Sequence, residues 1–311
     1  MNPRKGVLTF KEQLELIENF PAPQSPKGYK SFRNFFLKGI LSSFQGGNSE
    51  LQELMPYWNY ILVDALREKA PTYFLTQEMK EAAENTNIPP VDSDEAPFKY
   101  LNVFTPDGLT AVVRVLSMSN IYRGREHRYR WLDAAEKAGI KFNAFDAQTV
   151  FSAVIFVKDK NDKRSFRQLF LEIVPPSGEN NDALVSTPYS FGYSNDFVKK
   201  EIYTNRSLQE MTRLIVNTVL LIKHQPALVA VEKSATPAIG FSQKPSNEPM
   251  PVRWLGKNFS NSKTRSSTPS GGTHASPRAH WRRGHWHGYR YGEGRKTLKR
   301  KWVQPVYVNP Q

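Results

Sequence analysis

Cysteine is absent from all 311 residues, which excludes disulfides, thiolate metal sites and thiol chemistry and fits a reducing compartment. Long apolar runs are absent too. The N-terminal MNPRKGVLTFKEQ has basic residues but lacks the apolar stretch of roughly 7 or more that a secretory signal needs. The most apolar segment, Leu214 to Ile222, is nine residues long and contains Asn217 and Thr218, against the roughly 20 residues required to span a bilayer. The expectation is therefore a soluble, cytoplasmic protein with no membrane partner. No P-loop, dinucleotide fingerprint, HExxH or GxSxG occurs, so nucleotide hydrolysis by a standard motif is not expected. No internal repeat is evident.

Acidic residues are scarce at one end only. From Arg253 to Gln311 there are thirteen Lys or Arg and a single acid, Glu293; residues 1 to 252 hold the remaining 30 basic and 28 acidic residues. Of the net charge of +14, +12 thus lies in the tail, while the body is close to neutral. Such asymmetry marks an arm that meets a polyanion, because each neutralised phosphate releases condensed counterions. A tail charged only for solubility is the plainer alternative.

What is present builds a core. Apolar residues make up 39% and aromatics 12%, enough for one sizeable core or two modest ones. Residues 9–90 read as helical: Leu14, Ile17 and Phe20 recur at helical spacing, as do Phe32, Phe35, Phe36 and Ile40. Ser49 and Gln52 resemble a capping box ahead of Leu54, Met55 and Trp58, and a fourth helix is expected near Thr76 to Asn85. These aromatic stripes read as core. At about residue 98 the period becomes strand-like. Two runs around Pro106-Asp107-Gly108 form one expected hairpin, and Val150–Val157 with Phe166–Val174 form a second. Between them, Trp131 to Ala138 reads as a short helix, and Tyr122 to Arg130 as a basic, aromatic loop. Ser207 and Glu210 open a strongly apolar helix running to His224, placed to pack on the sheet, with His224 near the helix dipole. From Lys233 the composition turns to Ser, Pro, Asn and Gly, as in a flexible linker.

The tail, SPRAHWRRGHWHGYRYGEGRKTLKRKWVQPVYV, interleaves cations with rings. His280 to Tyr291 and Leu298 to Val308 read as strands joined by Gly292-Glu293-Gly294-Arg295. Alternation puts Trp281, Arg283, His285, His287, Tyr289 and Tyr291 on one face and Trp286, Gly288 and Arg290 on the other. This pattern suits single-stranded nucleic acid, cations following phosphate while bases stack on the rings. The expected phosphate contacts are Arg282, Arg283, Arg290, Arg295, Lys299, Arg300 and Lys301; the expected stacking residues are Trp281, Trp286, Tyr289 and Tyr291. Alternatives stay open. A basic aromatic hairpin can dock on an acidic protein partner or on its own body. An RNA-cleaving or toxin-like enzyme could use His285, His287 and Arg283, which are the right types for proton transfer beside a phosphate. Three imidazoles, His280, His285 and His287, are close in sequence, but neighbouring cations repel a dication, so no metal site and no cofactor are expected.

Gly271-Gly-Thr-His-Ala-Ser-Pro-Arg, Arg283-Gly-His-Trp286, Gly292-Glu-Gly-Arg295 and Trp302-Val-Gln-Pro305 resemble the C-terminal segment of an uncharacterised group of bacterial, plasmid and phage proteins. The likeness covers about forty residues of the 311. It implies a bacterial or mobile-element setting and carries over no catalytic residue.

The expected fold class is α+β: a helical N-terminal region, then a small antiparallel sheet with a packed helix. The expected organisation is a body over 1–232, a flexible linker over 233–275 and a basic aromatic hairpin over 276–311. Oligomeric state and the choice between RNA and DNA are not fixed by these signals.

Overall fold

Alternation along the strands sorts their side chains onto two buried faces, and both are covered by helices. In the computed structural model, residues 8–45, 55–91, 95–117, 149–158, 166–176, 184–190, 206–232, 249–260, 263–264 and 280–308 are described. The fold is α+β. The helices are α1 (Phe10–Asn19), α2 (Phe32–Gln45), α3 (Met55–Arg67), α4 (Gln77–Glu84) and α5 (Arg206–His224). The strands of the main sheet are β1 (Thr72–Leu75), β2 (Tyr100–Phe104), β3 (Thr110–Ser117), β4 (Thr149–Lys158), β5 (Phe166–Val174), β6 (Leu184–Ser190), β7 (Val229–Glu232) and β8 (Val252–Leu255). They are ordered β6-β5-β4-β3-β2-β1-β8-β7.

Both expected hairpins are present. β2 and β3 pair antiparallel from Tyr100↔Arg114 to Phe104↔Thr110, turning at Gly108, whose φ of 86° favours glycine. β4 and β5 pair from Phe151↔Ile173 to Lys158↔Phe166. On one face, Phe74, Tyr100, Phe104, Val112, Val154 and Phe156 pack with Phe20, Phe32, Phe35, Phe36 and the α3 residues Ile61, Leu62 and Leu66. On the other, Tyr73, Leu101, Val103, Val113 and Ile155 pack with Met79 and Ala83 of α4 and with α5. The helices follow local signals: Thr9 and Glu12 form a capping box on α1, and the Thr76 hydroxyl accepts from Met79 N–H to start α4.

Three expectations are corrected. Residues 9–90 are not wholly helical, because β1 lies between α3 and α4. All four of its residues are buried, so it shows no alternation to distinguish it from a buried helical turn. The sheet is neither small nor purely antiparallel: it has eight strands, and β1 runs parallel to both β2 and β8. The segment assigned to a linker contains β8, which hydrogen-bonds to β1 and β7 inside the main sheet. Only four residues long and set between Pro251 and Gly256, β8 is too short to stand out from the Pro- and Ser-rich sequence around it. The expected Ser49 cap, the Trp131–Ala138 helix and the Tyr122–Arg130 loop lie outside the described residues. Among the described residues, no helix is long and apolar enough to cross a membrane.

Candidate nucleic-acid interface

The tail forms a hairpin of β11 (His285–Tyr291) and β12 (Thr297–Val303), flanked by β10 (His280–Arg282) and β13 (Val306–Val308); these two pair with each other, and β13 also pairs with β9 (Lys263–Thr264), in a separate sheet. The register runs from His285↔Val303 to Tyr291↔Thr297. The turn uses Gly292 at φ 80° and Gly294 at φ 65°, as the Gly-Glu-Gly-Arg sequence leads one to expect. Each long run expected from sequence is broken once, at Arg283-Gly284 and at Gln304-Pro305. Gly284 bridges to the body: its N–H donates to Asn85 O at 2.9 Å, and its carbonyl accepts from Asn87 N–H at 2.9 Å. Pro305 has no N–H with which to continue a ladder.

One face of the hairpin docks on the body. Trp286 and Trp302 are cross-strand partners, their rings 6.3 Å apart. Trp286 Nε1–H donates to Asn217 Oδ1 at 2.9 Å. Asn217 is fully buried in α5 and donates to Ala83 O at 2.9 Å and Thr86 O at 2.8 Å, so donors and acceptor of this amide are all used. Trp302 Nε1–H donates to Thr86 Oγ1 at 3.2 Å. The Arg300 guanidinium bonds both oxygens of Glu95 and the Pro90 carbonyl, and His224 Nε2 lies 3.0 Å from the same carboxylate. His224 therefore makes a buried hydrogen bond to Glu95 in addition to ending its helix. Of these anchors, Asn217 left a trace in the sequence as a lone amide in an apolar helix; Glu95 and Thr86 left none.

The opposite face is open to solvent. His285, His287, Tyr289 and Tyr291 follow one another along β11, and Lys301 and Lys299 stand across from His287 and Tyr289 on β12; all six are exposed. Arg282, Arg290 and Arg295 are exposed as well. Arg283 is exposed, with Nη1 donating to Asn87 Oδ1 at 3.4 Å. Two expected contacts lie elsewhere: Trp286 and Arg300 are 8% exposed and engaged by the body. The side chain of Trp281 falls outside the description.

The geometry also bears on the histidines. His285 Nε2 and His287 Nε2 are 3.1 Å apart and hydrogen-bonded to each other. General acid–base catalysis needs each group within hydrogen-bond reach of the proton it moves in the substrate complex. As placed, this pair addresses one point. His280 belongs to the separate β10 sheet, and among the described residues no group of three His, Asp or Glu could hold a metal ion.

Comparison with known families gives one match: residues 120–310 fit the model described as AcrVA2-like, anti-CRISPR type V subtype A2 family. The matched span is more than half of the chain and contains β4 to β13, α5 and the whole docked hairpin. No curated protein and no solved structure matches.

Proposed function

The chain belongs to the AcrVA2-like anti-CRISPR family, and on that premise we propose that it acts against a type V CRISPR system by binding nucleic acid through the outer face of its C-terminal hairpin. Anti-CRISPR membership agrees with the mobile-element setting implied by the tail. The observation that carries the proposal is the division of the hairpin into two faces. The apolar Trp pair and the buried Arg300 turn inward, while rings and unburied cations turn outward, within the stretch from Arg253 to Gln311 that holds +12 of the net charge. Docking accounts for the inner face and leaves unexplained the row of rings beside cations on the outer one. Exposed lysines and arginines supply phosphate contacts whose affinity falls with salt, and exposed tyrosines supply surfaces on which unpaired bases stack.

The test is binding of the full chain to labelled single-stranded RNA, single-stranded DNA and duplex across a salt series. With Lys299, Lys301 and the turn residue Arg295 engaged, log K against log salt should have a slope of about −2 on a single strand. The charge-reversed variant K299E/K301E should weaken binding in every salt condition. No binding by the unaltered chain at low salt would refute the proposal.

A further inference from the structure

We infer that the outer face of β11–β12 is a track for an unpaired strand, one nucleotide per tyrosine. Tyr289 and Tyr291 are its adjacent stacking positions, and Lys299 and Lys301 line its phosphate side. This rests on the nucleic-acid reading above and adds the form of the ligand and its direction along the protein.

The first argument is spacing. Residues two apart on a strand are separated by about 6.7 Å, and the Tyr289 and Tyr291 ring centroids are 6.4 Å apart. Bases in a helical stack advance about 3.4 Å per step. Two rings at nearly twice that step cannot meet neighbouring bases that remain stacked on each other. They match a strand whose bases are drawn apart, each lying on its own ring. The planes of the two rings differ by 47°, which also opposes one continuous stack and suits two separate ones. In a duplex the base faces are already covered, so a duplex leaves these half-exposed tyrosines, at 47% and 49%, without partners.

The second argument is the position of charge. Lys299 pairs across the ladder with Tyr289, and Lys301 with His287, so both lysines stand on β12, beside the ring row and on its face. A strand running along β11 thus keeps its bases over the tyrosines and its backbone over the lysines. His285 and His287, hydrogen-bonded to each other, close the row at the end nearer the body. Arg295, exposed in the turn, bounds the other end.

The test uses the full chain with labelled U8 and dT8 and a blunt duplex, read by anisotropy across a salt series. Y289A/Y291A should lose at least tenfold in single-strand affinity with an unchanged salt slope and unchanged duplex binding. Y289F/Y291F, which keeps the ring faces, should bind like the unaltered chain. K299Q/K301Q should flatten the single-strand slope by about 1.4, the share of two phosphates. An unaltered melting temperature and tryptophan emission would show that each variant keeps the hairpin docked. The inference is overturned if Y289A/Y291A binds single strands normally, or if duplex binds as tightly as single strand while the general proposal survives. Absence of all binding by the unaltered chain overturns both.

Discussion

A methyl group added to Gly284 would lie 2.6 Å from Thr86 Oγ1, 2.8 Å from Pro305 Cδ and 2.8 Å from the Val303 carbonyl oxygen. Of these neighbours, only the Thr86 hydroxyl belongs to a side chain that could turn, and it is held by bonds to Ala82 O and Trp302 Nε1. Gly284→Ala should therefore destabilise the protein by about 1–3 kcal/mol, the usual cost of overpacking a rigid contact. Chemical denaturation provides the measurement, and an unchanged midpoint would show that the hairpin is not held where Gly284 meets Asn85 and Asn87. The same residue-scale logic protects Asn217. Its buried amide is tolerated in an apolar helix because Ala83, Thr86 and Trp286 supply every partner it needs.

At the scale of elements, the hairpin, α5 and the segment after α4 are tied through one carboxylate. Glu95 is 4% exposed and Arg300 8%, so Glu95→Gln leaves a guanidinium buried without its counter-charge, at a cost of about 3–5 kcal/mol. The expected result is a lower midpoint of denaturation and tryptophan emission shifted toward that of exposed indole, because Trp286 lies on the docked face. Full stability in Glu95→Gln would mean that the apolar Trp286–Trp302 contact holds the element by itself. Elements also decide which truncations are informative. Cutting the chain at residue 252 removes β8 from the interior of the main sheet, so loss of binding in that fragment would report unfolding as readily as a missing tail. Substitutions on the exposed hairpin face avoid that ambiguity.

For the whole molecule, the two-sided core makes stability depend on alkaline pH. Burial raises the Tyr29, Tyr73 and Tyr100 hydroxyls above the ordinary tyrosine value. The folded state keeps protons that the unfolded chain gives up at about pH 10. The contribution of these groups is therefore complete below that pH and is lost as pH rises through and beyond it. Stability from denaturant titration should fall progressively above about pH 10, with tyrosinate absorbance appearing together with unfolding. Tyrosinate absorbance from all thirteen tyrosines before any loss of structure would contradict the buried placement.

The sequence by itself determined the helix-and-strand alternation, the two antiparallel hairpins, the Thr76–Asn85 helix and the two-faced tail. Those signals are local: periods of two or of about 3.6 residues, caps, and turn residues at fixed offsets. Its charge distribution likewise located the surface on which the functional proposal stands. Only the tertiary structure decided that Thr72–Leu75 and Val252–Leu255 are neighbouring parallel strands. The pairing joins segments far apart in the chain, and four buried residues carry no period of their own. The same holds within the tail, where alternation separates Trp286 from Tyr289 and Arg300 from Lys301 but does not say which face docks. Arg300 and Trp286 are withdrawn from solvent because Glu95 and Asn217, distant in sequence, meet them across the docked face, leaving Lys301 and Tyr289 for whatever binds outside.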